Sequence, residues 1–428
     1  MLIWNYWPGR QGGAEWQCRK LAGQLASTGH PCTVVTHCFS ATHPLRQMDG
    51  GSRVVRIGLI LPFCRWLSQL RRQSKKQLSS REGEASCCPK TQANSKCGLS
   101  KGAHRVVDAI FWTERLVFIL GATIFFLLNR QRFDVIHVHE SHWMAGFGAW
   151  VGSLFKIPVV CKEATFPALE PLSMPVPFRK HWDKWRRRCR FIAMNASLKD
   201  ELIEAGIRAD RIVVNPNGVH VPEKTTHPEC GKYVLYIGNF SQGRRKAFDI
   251  LFDAWRLVVE KRPDARLVLL GGGDNSEWLR YCRENNLTET VRFEGFVSSI
   301  EPFALNASMS LLPSRLEGMS NALLEAQSYG VPSVVSDIMA NTEIVENEVN
   351  GLVVPLNDSN ALAEAILRLL DEPDMRMRMG RTARKRIIER YSLPVVANAL
   401  VQIYGGQRTD DRSRLVRHSL GGGGRSAP

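Results

Sequence analysis

Several features that mark other protein classes are missing from this chain of 428 residues. No secretory signal peptide is visible, because Met1 leads into Leu2 without a basic segment and a long apolar core. The apolar run at residues 116–128 is too short to span a bilayer as a helix. It predicts instead a helix that packs on a sheet or dips into a membrane interface, and a transmembrane helix extended outward to Trp112 is the alternative. The location indicated by these features is cytoplasmic.

Cysteine and glycine patterns exclude two further classes. The eleven cysteines include no CxxC pair, so we interpret them as reduced thiols of a cytosolic protein. Cys87, Cys88 and Cys97 cluster without the histidine ligands that would complete a zinc site. The first Gly-rich loop, residues 8–15, lacks the GxGxxG of dinucleotide-binding folds, which disfavours a Rossmann dehydrogenase.

Positive charge is abundant but unevenly placed. The net charge is +16, and residues 53–132 carry 15 Lys/Arg against 4 Asp/Glu, while residues 178–190 carry 7 against 1. Both stretches contain aromatic side chains, and basic residues with interfacial aromatics suit an anionic membrane surface. No nucleic-acid motif accompanies them, so we expect no nucleic-acid partner. An ordinary solvated basic face remains the alternative.

Apolar runs and helical patterns alternate along the chain, which predicts two doubly wound, Rossmann-like α/β domains facing a cleft. The first is predicted at residues 1–215, beginning with a short strand at 2–6 and interrupted by a polar, basic insertion at about 63–105. The second is predicted at 216–393, after the turn Asn215-Pro216-Asn217-Gly218. We expect a final helix at 394–404 and a disordered tail at 405–428.

The most informative stretch is residues 313–336. A buried strand ends before a tight loop, and Ser320 or Asn321 is placed to cap the helix that follows. The free N–H groups and positive dipole end of such a helix form an anion site. Glu317 on the loop and Glu325 in the helix can accept hydrogen bonds from ligand hydroxyls. An ordinary strand–loop–helix with two solvated glutamates is the plainer interpretation of this pair.

The residues around the two glutamates favour the functional interpretation. The segment resembles the EGxxNxxxEAxxxGxPxVxSD signature of retaining GT-B glycosyltransferases known as group 1 or family 4. It is spelled here by Glu317, Gly318, Asn321, Glu325, Ala326, Gly330, Pro332, Val334, Ser336 and Asp337. The resemblance implies that this segment binds a sugar nucleotide, with Met319, Ser320 and Ala322 on the diphosphate side and Glu325 on the ribose.

Two further matches lie in the first half of the chain. Residues 8–15 are similar to the family's PxxGGAE loop, and Gly12 and Gly13 are its donor-binding glycines by resemblance. His139 ends a buried strand, and His139-Glu140 is similar to the family position whose histidine faces the reacting sugar. His137 would share the side-chain direction of His139 in a regular strand. The choice of His139 as the catalytic histidine therefore rests on the resemblance.

Residues 238–249 follow the first strand of the second predicted domain. Lys246 is the point charge that a diphosphate leaving group needs, and Arg244 or Arg245 can assist it or face solvent. The family usually has arginine where this chain has Asn239, and glycine where it has Ala247. Gly295 and Phe296 resemble the loops that frame the nucleotide base.

The resemblance implies retaining transfer of a hexose from a nucleoside-diphosphate sugar to a glycan or lipid-linked saccharide, as in cell-surface polysaccharide assembly. It also implies that the final helix crosses back to the first domain. His139, Lys246 and Glu317 are the predicted catalytic residues. No Asp-x-Asp motif occurs, so we expect no metal and no cofactor. A sugar-nucleotide epimerase or phosphorylase of the same fold, and a non-catalytic membrane-associated scaffold, are the alternatives.

Overall fold

Strands and helices alternate along most of the described chain. The computed structural model describes residues 1–6, 13–38, 43–58, 101–139, 143–163 and 184–420, with the backbone alone at 101–112 and 407–420. The strands are β1 (Thr33–His37), β2 (Arg46–Asp49), β3 (Ser52–Ile57), β4 (Ile136–Val138), β5 (Val159–Glu163), β6 (Arg190–Ala193), β7 (Ile212–Val214), β8 (Tyr233–Ile237), β9 (Leu267–Leu270), β10 (Val291–Gly295), β11 (Ala307–Leu312), β12 (Ser333–Ser336) and β13 (Gly351–Val354).

Helices connect most of these strands. They are α1 (Gly13–Ser27), α2 (Lys101–Asn129), α3 (Trp143–Phe155), α4 (Ala196–Glu204), α5 (Phe248–Lys261), α6 (Ser276–Glu284), α7 (Glu301–Ala304), α8 (Asn321–Ser328), α9 (Met339–Thr342), α10 (Ser359–Asp371), α11 (Pro373–Arg386) and α12 (Leu393–Leu420). In these described ranges, no helix is both long and apolar enough to cross a bilayer.

The chain divides into two compact units, Met1–Val159 with Met174–Arg188, and Val160–Ser173 with Cys189–Pro428. The division falls within β5, upstream of the predicted boundary at 215/216, which stays a prediction. In the first unit, β3 pairs in parallel with β1 and antiparallel with β2. The predicted strand at residues 2–6 is reduced to bridges from Leu2 to Val35 and Val138. Backbone hydrogen bonds nevertheless join the segment to both neighbouring strands as far as Trp4, for example from the Ile3 N–H to the Val35 carbonyl at 3.1 Å and from the His139 N–H to the Leu2 carbonyl at 3.0 Å.

The second unit contains a six-stranded parallel sheet in the order β10-β9-β8-β11-β12-β13. Successive side chains of a strand point to opposite faces. Accordingly, Tyr236 joins the core beneath α5 and α10, whereas Leu235 joins the core on the other face, beside Ala326 of α8. Because every strand runs the same way, the loops that follow the strands emerge at one edge, where open α/β sheets bind ligands.

Two expectations, on the C-terminal tail and on the second basic stretch, need correction. The final helix α12 continues to Leu420, so helical backbone replaces the disorder predicted from residue 405 as far as that point. Arg186, counted in the second basic stretch, is buried rather than displayed to solvent. The clustered cysteines 87, 88 and 97 lie outside the described residues, as does most of the predicted insertion.

Candidate functional site

The segment that follows β11 has the geometry predicted for an anion site. Ser320 is extended, with φ −79° and ψ 107°, and its hydroxyl accepts a hydrogen bond from the N–H of Leu323 at 3.3 Å. This confirms Ser320 as the N-cap of α8. Among the described residues, the N–H groups of Gly318, Met319 and Ser320 donate to no other group. Donors left free at a helix start are a ready site for an anion.

Two of the predicted catalytic residues are in direct contact in this unit. The Lys246 ammonium lies 2.5 Å from the Glu317 carboxylate, and the side chains are only 12% and 7% exposed. Lys246 follows β8 and Glu317 follows β11, and these strands are neighbours in the sheet. Their loops therefore meet at the same edge. The structure thus brings together, in one buried ion pair, the lysine predicted to stabilise the leaving diphosphate and the glutamate predicted to accept hydrogen bonds from the sugar.

Ala247, beside this lysine, stands where the family usually has glycine. It precedes α5 in the left-handed region, with φ +54° and ψ +46°. Glycine adopts this conformation without steric cost, whereas a residue with a Cβ is strained there. The backbone conformation that glycine would allow is thus kept by an alanine.

The loops that carry Lys246 and Glu317 are joined by Arg315, a residue that the sequence did not single out. Its guanidinium forms a bidentate pair with Asp249 at 2.7–2.8 Å and also donates to the Arg244 carbonyl. Its backbone N–H donates to the Arg245 carbonyl at 2.9 Å. Burial alone would raise the pKa of Asp249, but the hydrogen bond and charge of Arg315 leave that pKa below its ordinary value.

The neighbouring arginines have different environments. Arg245 uses its Nε to donate to the Leu316 carbonyl at 3.0 Å, so it reinforces the contact between the two loops. Arg244 is exposed, and its guanidinium lies 3.9 Å from the Glu277 carboxylate. Asn239, where the family usually has arginine, accepts a hydrogen bond from the N–H of Ser241 and caps the turn that follows β8. Asn239 therefore shapes this loop rather than supplying a charge.

Glycine-rich loops after β8, β9 and β10 interleave at the same edge. The Gly271 N–H donates to the Gly295 carbonyl at 2.8 Å. Gly271 has φ +153°, and a Cβ there would lie 1.7 Å from the Gly238 carbonyl oxygen, so only glycine fits. Gly295 also has a positive φ, +72°, and Phe296 after it is 62% exposed. An open backbone edge with an exposed ring is suited to a planar group.

The buried hydroxyl of Tyr236 is a further residue that sequence reasoning missed. Among the described residues it has no hydrogen-bond partner. A Cβ at Gly238 would lie 2.5 Å from it. Burial, and then the charge of Glu317, raises its pKa well above the ordinary value. A tyrosine in a strand carries no local signal of this position, because only the fold places it beneath the Gly238 loop.

The remaining predicted residues divide between helix α8 and the first unit. Ala322 and Glu325 lie in the first turns of α8 and are half-buried. His139 is buried, and its ring stacks on His137 with centroids 4.2 Å apart and planes at 18°. Gly13 opens α1, whereas Gly12 lies outside the described residues. Among the residues that the structure describes, no group of three His, Cys, Asp or Glu is placed to hold a metal.

Comparison with known proteins places the chain in a family. Residues 231–372 match the family model for glycosyl transferases group 1, and residues 12–218 match that for a glycosyl transferase 4-like domain. The chain is 30% identical over 283 residues to a phosphatidyl-myo-inositol mannosyltransferase of Mycobacterium leprae, covering 64% of this chain and 73% of that protein. It is 28% identical over 446 residues to a glycogen synthase of Mycobacterium tuberculosis, covering 98% of each.

Solved structures show the same architecture. Anabaena HepE, crystallised in complex with UDP-glucose, superposes with a TM-score of 0.65 at 17% identity, over 95% of this chain and 99% of that one. The likeness confirms the predicted GT-B fold class of two Rossmann-like domains. Together with the family matches, it confirms the predicted enzyme class. The chain therefore belongs to the group 1, or family 4, glycosyl transferases and has the GT-B fold.

Proposed function

We propose that the protein transfers a hexose, with retention of anomeric configuration, from a nucleoside-diphosphate sugar to a glycan or lipid-linked saccharide in cell-surface polysaccharide biosynthesis. The observation that carries this proposal is the Lys246–Glu317 pair beside the free N–H groups at the start of α8. The complex of Anabaena HepE with UDP-glucose supports a sugar nucleotide as donor. The mannosyltransferase and glycogen synthase relatives support lipid-linked and glycan acceptors.

Each site residue has a stated part in this proposal. The Lys246 ammonium and the N–H groups of Gly318–Ser320 stabilise the charge that develops on the leaving diphosphate. Glu317 accepts hydrogen bonds from the sugar hydroxyls once the diphosphate has replaced it as the partner of the Lys246 ammonium. Glu325 accepts from the ribose, and His139 steadies the sugar. These fixed positive groups take the place of a divalent ion, so we propose transfer without a metal or cofactor.

A screen of UDP-, GDP- and ADP-sugars tests this function, with EDTA present throughout. We expect one sugar nucleotide to bind and hydrolyse slowly, and NMR of the released or transferred sugar to show the α-anomer for an α-configured donor. Lys246→Ala should abolish both signals, whereas Lys385→Ala, a solvent-exposed lysine of α11, should leave them unchanged. Isomerised sugar nucleotide, phosphate-dependent cleavage or dependence on an added divalent ion would contradict the proposal.

We further propose that the enzyme works at an anionic membrane surface on the cytoplasmic side. Helix α2 presents two faces: Phe118, Ala122 and Phe126 are buried. The opposite face is apolar but 48–76% exposed, and it consists of Leu116, Leu120, Ile124, Leu127 and Leu128. Exposed Arg130 and Arg132 follow it directly. A helix with an apolar stripe beside basic residues suits the headgroup region of anionic lipids.

Vesicle sedimentation tests the membrane proposal. The double variant Leu120→Ser/Ile124→Ser should bind phosphatidylglycerol-containing vesicles more weakly than the wild type. Leu279→Ser/Ile388→Ser removes two similarly exposed apolar side chains from the second unit and should not change binding. Equal binding of all three proteins, or equal binding to zwitterionic vesicles, would contradict docking through this helix.

A further inference from the structure

Two buried asparagines contact the loop that precedes α8, and neither belongs to the family signature. We name residues 317–321 the donor loop. Asn195 follows β6, and Asn217 lies in the turn after β7. Both side chains are buried, and both belong to the same compact unit as the donor loop. They are more than a hundred residues from it in sequence.

Asn195 uses both ends of its amide. Its Oδ1 accepts from the N–H of Leu198 at 2.8 Å and caps helix α4. Its Nδ2 donates to the Gly318 carbonyl at 2.7 Å. Because the cap requires the oxygen, the amide orientation is fixed and the nitrogen must face the donor loop. Aspartate at this position would keep the cap but offer no donor, and serine would keep the cap but be too short to reach Gly318.

Asn217 holds the other side of the same loop. Its Nδ2 donates to the side-chain oxygen of Asn321, the first residue of α8, at 3.0 Å. Its backbone N–H donates to the Met319 sulfur at 3.2 Å. The two asparagines therefore hold residues on both sides of the helix cap Ser320.

These contacts set the direction in which the loop presents its donors. A trans peptide is planar, with its C=O and N–H pointing opposite ways. The Gly318 carbonyl is held towards Asn195, so the Met319 N–H of the same peptide must point away from Asn195. That N–H is one of the donors left free at the start of α8.

We infer that Asn195 and Asn217 are positioning residues that fix the donor loop, so that its free N–H groups converge on the donor diphosphate. The inference rests on the proposed sugar-nucleotide function. It adds that the loop is not preorganised by its own residues. The conformation of the donor loop depends on a hydrogen bond from Asn195, which lies between β6 and α4. The same side chain also caps α4.

The test measures binding of UDP, GDP and ADP by calorimetry, together with the thermal midpoint of each protein. Asn195→Ser keeps a neutral cap and loses the contact with Gly318. We expect its thermal midpoint to stay near that of the wild type while the Kd of the bound nucleotide rises about tenfold, the loss expected for one hydrogen bond. Asn195→Asp faces the Gly318 carbonyl with a carboxylate and should bind more weakly still. Asn217→Ala should also weaken binding.

Asn350 provides a matched control. It is buried, its Nδ2 donates to the Ile344 carbonyl at 2.9 Å, and its Oδ1 accepts from the N–H of Glu346 at 2.7 Å. Asn350→Ser therefore loses the same kind of hydrogen bond away from the donor loop and should keep the wild-type Kd. Nucleotide binding by the Asn195 and Asn217 variants equal to wild type would overturn the positioning role alone. Failure of the wild type to bind any of the three nucleotides would overturn the proposed function as well.

Discussion

Replacing Glu317 with glutamine should have opposite effects on binding and on catalysis. The Glu317 carboxylate lies 2.5 Å from the Lys246 ammonium, largely out of water, and neutralises its charge. In the proposed function, a diphosphate competes with that carboxylate for the ammonium. Glu317→Gln keeps the size of the side chain but removes its charge. We therefore expect UDP, which has no sugar to engage Glu317, to bind the variant more tightly, while sugar transfer falls.

The magnitude follows from the burial of the pair. A hydrogen bond between charged groups contributes about 1.5–3 kcal/mol, and glutamine still provides a neutral one. Releasing Lys246 should therefore favour the diphosphate by about 1–2 kcal/mol, or roughly five- to thirtyfold in Kd. The unliganded variant should also lose stability, on the order of 2–3 kcal/mol, because a nearly buried ammonium loses its counter-charge.

Calorimetric titration with UDP and a thermal-shift series measure both effects. Without added ligand, the thermal midpoint of the variant should be lower than that of the wild type. Addition of UDP should raise the midpoint of the variant by more than that of the wild type. Lys246→Met should lose UDP affinity in the same assay. Glu389→Gln removes the same charge from a surface pair with Lys385 and should change neither quantity. Weaker or unchanged UDP binding by Glu317→Gln would refute the view that the pair restrains the diphosphate site.

Three further predictions concern the framework of the two units. Gly271→Ala should destabilise the protein by at least about 3 kcal/mol, whereas Gly272→Ala, with no atom closer than 3.9 Å to its Cβ, should shift the thermal midpoint little. Ala247→Gly should raise the unfolding free energy by roughly 0.5–1 kcal/mol in denaturant titrations, because relief of left-handed strain exceeds the entropy gained by the unfolded chain. Burial lowers the pKa of His37 from 6.5 to about 4, so the unfolded chain binds the proton first as the pH falls below 6.5. Stability present above pH 6.5 should thus drop by about 2 kcal/mol at pH 5, and His37→Phe should remove that part of the pH dependence of the thermal midpoint.

Much of the second unit could be predicted from local pattern. The sequence predicts a strand before Lys246 and another before Glu317, and the structure has them as β8 and β11. Both strands are short runs of mostly buried residues, which local pattern indicates. The antiparallel strand β2 was missed, because a short polar edge strand has no buried alternation to mark it. The end of α12 was missed because the Gly-rich end of the chain favours disorder from residue 405, whereas the helical backbone continues to Leu420.

The sequence by itself determined the family, the α/β order and the residue types at the site. Glu317, Lys246 and Ser320 all lie in loops that follow a strand, and local pattern identifies such loops. Only the tertiary structure decided which of them meet. Lys246 and Glu317 are 71 residues apart and pair because β8 and β11 are neighbours in the sheet. Arg315, Asn195 and Tyr236 acquire their places only through such non-local contacts, which depend on strand order and packing rather than on local pattern.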